Sequence, residues 1–297
     1  MIKQIIMLMT FCLSVVSSAA VPPFDGARAM FFLEKQCEFG PRNPGSEGHR
    51  LCRDYLVEEL KKHADVVQTQ AFMFSYGSPA QTATGYNIIG RFQPQNRDRI
   101  ILCAHWDTRP WADEDPNPAN HNTPVLGAND GASGVAVLLH MAELFAKTPP
   151  RIGIDIVFFD AEDAGTHNRN ETWALGSVAF AREYAYSFNP RYAILLDMIG
   201  DADLNIFQDA YSVQYAPALV NKIWDKAAEL GINEFIPEVG YIVYDDHVPL
   251  LRAGIQAVDV IDFNYPYWHT VEDTPDKCSA ESLEKVGRVI TAIVYEE

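Results

Sequence analysis

Four short runs, Ile100–Ala104, Ile154–Phe159, Ala193–Leu196 and Ile255–Ile261, are predominantly apolar and alternate with longer segments of helical spacing. A strand that is apolar on both faces must be covered on both faces, and the helices that cover it also supply the crossovers between parallel neighbours. The helical segments are Gly131–Lys147, Ala174–Tyr186, Ala216–Leu230, Val248–Ala253 and Ala280–Tyr295. This alternation predicts a three-layer α/β/α architecture around a central mixed, mostly parallel, twisted sheet. Upstream, residues 26–37 and 46–63 have helical spacing, with Pro41–Gly45 between them. Val66–Phe74, Tyr86–Phe92 and Arg99–Ala104 read as strands. At 48% hydrophobic the chain can fill a sizeable core, and no linker divides it, so residues 21–297 are expected to form one catalytic-size α/β domain. The loop Arg109–Leu126 carries four prolines, and a loop of that length in a compact domain is usually functional.

Residues 1–20 are different in kind. Lys3 precedes a nearly unbroken apolar stretch, Ile5–Val16, and Ser18-Ala19-Ala20 offers small residues for cleavage. That is the pattern of a signal peptide, so the chain is expected to be exported, periplasmic or secreted. The stretch is too short to span a bilayer, and Phe11 before Cys12 disfavours a lipid anchor there. No other segment reads as transmembrane. Acidic residues outnumber basic ones 40 to 23, giving a formal charge of −17, and no Lys/Arg cluster stands out. Nucleic acid and anionic membranes are therefore poor partners. A monomer is expected. Cys37 and Cys52 could pair in an oxidising compartment, whereas Cys103, inside a strand, reads as a small buried hydrophobe.

The polar residues of interest lie where apolar strands stop. Ile100–Ala104 runs into His105-Trp106-Asp107, Ile154–Phe159 into Asp160-Ala161-Glu162-Asp163, and Ala193–Leu196 into Asp197. Trp268-His269 follows the last strand after a short loop, and Asp130 sits at a loop-to-helix junction. Carboxyl ends of strands are where open α/β sheets build sites. His105, Asp130, Asp163, Asp197 and His269 are all of zinc-ligand type. Asp107 could orient His105 by hydrogen bonding to its ring. Glu162, beside a ligand candidate but pointing elsewhere, suits a general acid/base. Taken singly, each has a bland explanation as a cap, turn or structural residue; the joint pattern at successive strand ends is what carries the reading.

In that joint pattern the sequence resembles the zinc aminopeptidases with an α/β fold and a cocatalytic metal site. The family's HxD, NDGASG, EE, DMIG-like and final HT-x-x-DT segments stand here as His105–Asp107, Asn129–Gly134, Glu162-Asp163, Asp197–Gly200 and His269–Thr274. The second member of the EE pair is Asp163, one methylene shorter. Within that fold the chain is more similar to glutaminyl-peptide cyclotransferases, through Leu196–Gly200, Asp245–Leu250 and Trp268-His269-Thr270, and the run His105–Asp113 looks like bacterial members. This resemblance implies a zinc-aminopeptidase-like fold and conversion of N-terminal glutamine of peptides or proteins to pyroglutamate with release of ammonia. It implies one zinc ion on Asp130, Asp163 and His269, with Glu162 as acid/base. It places Asp197 and its neighbour Asp245 on the substrate amide, and Trp268, Tyr265 and Val243 around the glutamine side chain. His105 and Asp107 would then be a polar layer behind the ion. The alternative is a two-zinc aminopeptidase, in which Asp130 bridges the ions and His105 and Asp197 complete the second site. A zinc-free binding protein would need a lost ligand or a lost Glu162, and neither is lost. Trp106, Trp111 and Trp173 are left as possible pocket walls, and Asp201 and Asp203 as solvated loop charges.

Overall fold

The structure, a computed structural model, describes residues 21–297; the expected signal peptide and the Cys12 anchor question lie outside them. Two helices open the described chain, α1 (Gly26–Cys37) and α2 (Glu47–Lys61). Each starts where a side chain caps it: Asp25 accepts from the Arg28 amide at 3.1 Å, and Ser46 from the His49 amide at 3.0 Å. The strands β1 (Val66–Tyr76) and β2 (Gln81–Phe92) form a hairpin longer than the sequence suggests. Then follow β3 (Arg99–His105), α3 (Ala132–Lys147), β4 (Gly153–Phe159), α4 (Leu175–Phe188) and β5 (Ala193–Asp197). The remainder is β6 (Ile206–Asp209), α5 (Ala210–Tyr215), α6 (Pro217–Glu229), β7 (Phe235–Tyr241), α7 (His247–Arg252), β8 (Ala257–Ile261) and α8 (Ala280–Glu296).

Six strands make one mixed sheet in the order β1-β2-β4-β3-β5-β8. The pairs β4–β3, β3–β5 and β5–β8 are parallel, and the hairpin side is antiparallel. Alternate residues of each central strand enter opposite cores. Ile100, Leu102, Ala104, Ile194 and Leu196 face a cluster with residues of α1, α3, α6 and α8. Ile101, Cys103, Val157, Phe159 and Leu195 face a smaller one with Phe180 of α4 and Leu250 of α7. The three expected layers are present. Asp155, a charge inside β4, is answered by Arg99, whose guanidinium donates to both carboxylate oxygens at 2.6 and 2.7 Å.

Three details depart from the sequence reading. A second, two-stranded parallel sheet, β6–β7, stands beside the main one. Its strands are short, their register shifts, and β7 is mostly exposed, so no alternation marks it. The four cysteines among the described residues are free, buried thiols, Cys37 and Cys52 included, and these two pack within the larger core instead of bridging. The Arg109–Leu126 loop packs as a brace: the Glu114 amide donates to the His269 carbonyl at 3.3 Å, and Asp115 accepts from the Val271 amide at 3.1 Å. No helix among the described residues is long and apolar enough to cross a membrane.

Candidate metal and catalytic site

The parallel strands β3, β4 and β5 deliver their polar ends to one place. His105 ends β3, Asp197 ends β5, and Glu162 and Asp163 lie just past β4. Asp130 arrives from the turn into α3, where Gly131 has φ +99°; a Cβ there would stand 2.6 Å from the Asp107 carbonyl oxygen. Gly134, on the first turn of α3, lets the helix cross β5 so closely that a Cβ would meet the Leu196 carbonyl oxygen at 2.1 Å. The same segment is stitched to the turn after β5. Asn129 Oδ1 accepts from the Gly200 amide at 2.7 Å, and Ser133 Oγ accepts from the Ile199 amide at 3.1 Å.

Two groups of ligand-type side chains result, and Asp130 belongs to both. Asp130, Asp163 and His269 form one; His105, Asp130 and Asp197 form the other; all are buried, and within each the ligand atoms lie within 4.8 Å of one another. His269 Nε2 stands 2.9 Å from Asp163 Oδ1 and 3.6 Å from Asp130 Oδ2. His105 Nε2 stands 3.0 Å from Asp197 Oδ1 and 3.1 Å from Asp130 Oδ1. Asp130 Oδ2 and both oxygens of Asp163 are buried without a hydrogen-bond donor. Unsatisfied carboxylate oxygens converging beside an imidazole fit a zinc-type cation, which would satisfy them together.

Two further carboxylates hold these loops. Asp107 accepts the backbone amides of Glu162 and Asp163 at 3.1 and 3.2 Å. Its nearest approach to the His105 ring is 3.6 Å, so it orients the Glu162-Asp163 turn by hydrogen bonding, not the imidazole. Asp273 does the same on the other side, accepting the amides of Asn129 and Asp130 at 2.8 and 3.1 Å. Arg109, fully buried, donates to the carbonyls of Asp163 and Gly165 and lies against the Trp173 ring. Backbone strain gathers here too. Ala161, Ala174, Met198 and His269 all have φ between +45° and +57°, each at or beside a residue of the site, at a cost of about 1–3 kcal/mol apiece.

The electrostatics follow from burial and crowding. Glu162 is lifted well above the usual carboxylate range by burial and then by Asp245 and Asp163. Burial and Asp197 do the same to Asp245, and burial and Asp130 to Asp163. Burial opposes ionisation of both histidines, but with unlike outcomes. His105 ends well above its ordinary value because the surrounding carboxylates, Asp197 first and then Asp107 and Asp130, outweigh that cost. His269 is driven down to about 3 by burial and the nearby Arg109.

A cleft of about 490 Å³ opens over these groups. Glu162, Asp130, Asp163, His269, Asp197, Asp245, Val243 and Trp268 all line it. Tyr265 does not. It is buried beneath, and its hydroxyl donates to Asp273 at 2.8 Å. The aromatic in the wall is Phe263, which tilts against Trp268 at 5.1 Å and which sequence reasoning missed. Trp173 is also in the wall, its ring parallel to that of His269 at 5.9 Å. Trp106 is fully buried on His49, and Trp111 lies outside the cleft. His167, Ile242 and Tyr244 line it without any earlier signal. Asp273 had one, since it belongs to the final HT-x-x-DT segment. Asp201 is buried, not solvated as its loop position suggested.

Known proteins are similar to this chain along most of its length. The profile of peptidase family M28 matches residues 87–294. A glutaminyl cyclase of Bacteroides thetaiotaomicron, solved with N-acetylhistamine, is 39% identical with a TM-score of 0.90, over 93% of this chain and 99% of that one. A solved leucine aminopeptidase precursor of the same organism is 39% identical with a TM-score of 0.91, over 94% and 99%. Among curated proteins, glutaminyl-peptide cyclotransferase of Bos taurus is 24% identical over 86% of this chain and 78% of its own length. The chain belongs to peptidase family M28, among the relatives of its bacterial glutaminyl cyclases.

Proposed function

We propose that the chain is a zinc-dependent glutaminyl-peptide cyclotransferase, an acyltransferase that closes N-terminal glutamine of peptides or proteins to pyroglutamate and releases ammonia. Residues 1–20, read as a leader, support action outside the cytoplasm. The observation that carries the reading is Glu162: a buried carboxyl, raised well above the usual carboxylate range, beside the Asp130, Asp163 and His269 group in a cleft walled by Trp268, Phe263 and Val243. Those walls suit a short, neutral side-chain amide. Asp130, Asp163 and His269 would hold one zinc ion, which when bound supplies Lewis acidity toward a carbonyl oxygen.

This chain's residues do the rest. Asp197 and Asp245, crowded together and both raised, share a proton and accept from the substrate's amide N–H. That fixes the amide carbon within reach of the peptide's own amine, and such positioning carries much of the rate. Glu162 takes a proton from the α-ammonium group. The freed amine forms the new C–N bond of a five-membered lactam, the bond to the side-chain nitrogen breaks, Glu162 returns its proton to departing ammonia, and the ring nitrogen loses its one surplus proton to solvent.

A second reading, a two-ion aminopeptidase, is favoured by one observation, the completeness of the His105, Asp130 and Asp197 group. Zinc-loaded protein incubated with Gln-initiated and Leu-initiated peptide amides separates the two. Ammonia release from the Gln peptide alone, reduced about 10²–10⁴-fold in Glu162→Gln, is the expected result. Free leucine or glutamine without ammonia would replace the cyclase by the aminopeptidase.

A further inference from the structure

Behind the cleft lies a second polar cluster, of which the proposed reaction uses only Asp245. We propose that Asp245, His247 and Asp259 form a further divalent-cation site of zinc type, separate from the Asp130 groups and sharing no side chain with them. His247 is the first residue of α7, Asp259 lies within β8, and Asp245 stands just before α7 with one side toward the cleft. All three are buried, His247 and Asp259 completely, and one ligand atom from each lies within 4.8 Å of the others.

The histidine decides what the cluster can bind. Its Nε2 stands 3.1 Å from Asp209 Oδ2. Asp209 is an acceptor already fixed by the Ser212 amide and hydroxyl and by the Val243 amide. Nε2 must therefore carry a hydrogen, and in the neutral ring that leaves Nδ1 as a bare lone pair. That lone pair has no hydrogen-bond partner and stands 3.6 Å from Asp259 Oδ2. Neither oxygen of Asp259 has a donor, and Asp245 Oδ2 has none either. Acceptors therefore face acceptors in a dry interior, and only a cation or added protons can reconcile them.

Three features favour the cation. A separation of 3.6 Å is too long for a hydrogen bond between Nδ1 and a protonated Asp259, but ordinary for two ligands of one ion. An imidazole held from behind by a carboxylate is the usual arrangement of a metal-bound histidine. Two carboxylates match the charge of a divalent ion. The ligand set, one nitrogen and two carboxylate oxygens, suits zinc better than calcium or magnesium. An ion here would pin one oxygen of Asp245 and so fix the carboxylate that faces Asp197 across the cleft.

The test uses Asp130→Asn, which removes the ligand common to both groups in the cleft. After zinc loading and desalting, metal content is read by mass spectrometry, with folding checked by circular dichroism. Asp130→Asn should keep about one equivalent of zinc. Adding His247→Gln, whose amide can still donate to Asp209, or Asp259→Asn should remove it. Cobalt(II) loaded into Asp130→Asn should show ligand-field bands that vanish with His247→Gln. A folded Asp130→Asn protein with no bound ion, or a double variant that keeps its ion, overturns the proposal. If Asp130→Asn does not fold, the wild-type chain and His247→Gln are compared, and equal metal content overturns it.

Discussion

The two groups that meet at Asp130 are built from the same residue types and are satisfied in opposite ways. On the His105 side, one imidazole nitrogen reaches Asp197 at 3.0 Å and Asp130 at 3.1 Å, and these carboxylates push the ring toward its protonated form. On the His269 side, both Asp163 oxygens and Asp130 Oδ2 lack donors, and the ring is kept neutral by burial and by Arg109. The surroundings make the difference. His269 lies between Trp268 and Trp173, with the Arg109 guanidinium against Trp173. A neutral imidazole beside unsatisfied carboxylates is ready to ligate, whereas a protonated one must first lose its proton. This contrast is what favours the proposed single ion on Asp130, Asp163 and His269.

The most severe way to break the contrast is Asp163→Asn. Loss of an outer partner of a metal ligand already weakens binding about 10–100-fold, so loss of the ligand itself should cost more, and ammonia release should fall with it. Chelator competition and turnover measured on one preparation check this. Wild-type zinc affinity in the variant would remove Asp163 from the site.

Next come the two clamps. Asp107→Asn and Asp273→Asn each replace one amide-accepting oxygen by an NH₂ that faces a backbone N–H. Each should destabilise the fold by about 1–3 kcal/mol, read from denaturant unfolding, and weaken zinc about 10–100-fold. Equal effects would mean the two loops are held alike. A much larger effect at Asp107 would mean that the Glu162-Asp163 turn alone sets the affinity.

His105→Asn should weaken zinc by about tenfold, the low end of that range, because it removes an outer partner of Asp130 but leaves Asp163 and His269 in place. If the variant loses an ion or loses activity as fully as Asp163→Asn, the two halves are equivalent and the two-ion reading prevails.

What could be read in the sequence and what could not divide along a physical line. The strand ends were legible because each apolar run stops abruptly at a polar residue, as at His105, Asp160 and Asp197. The β6–β7 pair was not, since its exposed residues have no alternation to detect. Glu162, Asp163 and His269 were assigned from pattern, and the fold does bring them into one cleft. Asp107 and Asp273 stand inside recognisable segments, but those segments do not tell what the two carboxylates hold. Their hydrogen bonds reach backbone amides 55 and 144 residues away, and spacing within a motif cannot report such a bond.

Tyr265 shows the same limit at the scale of one side chain, and it yields the smallest predicted effect. By position in the loop before His269 it looked like a pocket residue. The chain instead turns its ring inward against Met198 and Ile261 and presents Phe263 to the cleft. Its hydroxyl supplies one of the three hydrogen bonds that hold the Asp273 carboxylate. Tyr265→Phe should therefore cost about 1 kcal/mol of stability, a fall of about 2–4 °C in Tm, with KM for Gln-initiated peptides unchanged. Phe263→Ala should do the reverse, raising KM with little change in Tm, because it strips the cleft wall beside Trp268 and leaves the clamp intact. If Tyr265→Phe raises KM as much as Phe263→Ala does, Tyr265 belongs to the pocket after all, and the loop must rearrange when substrate binds.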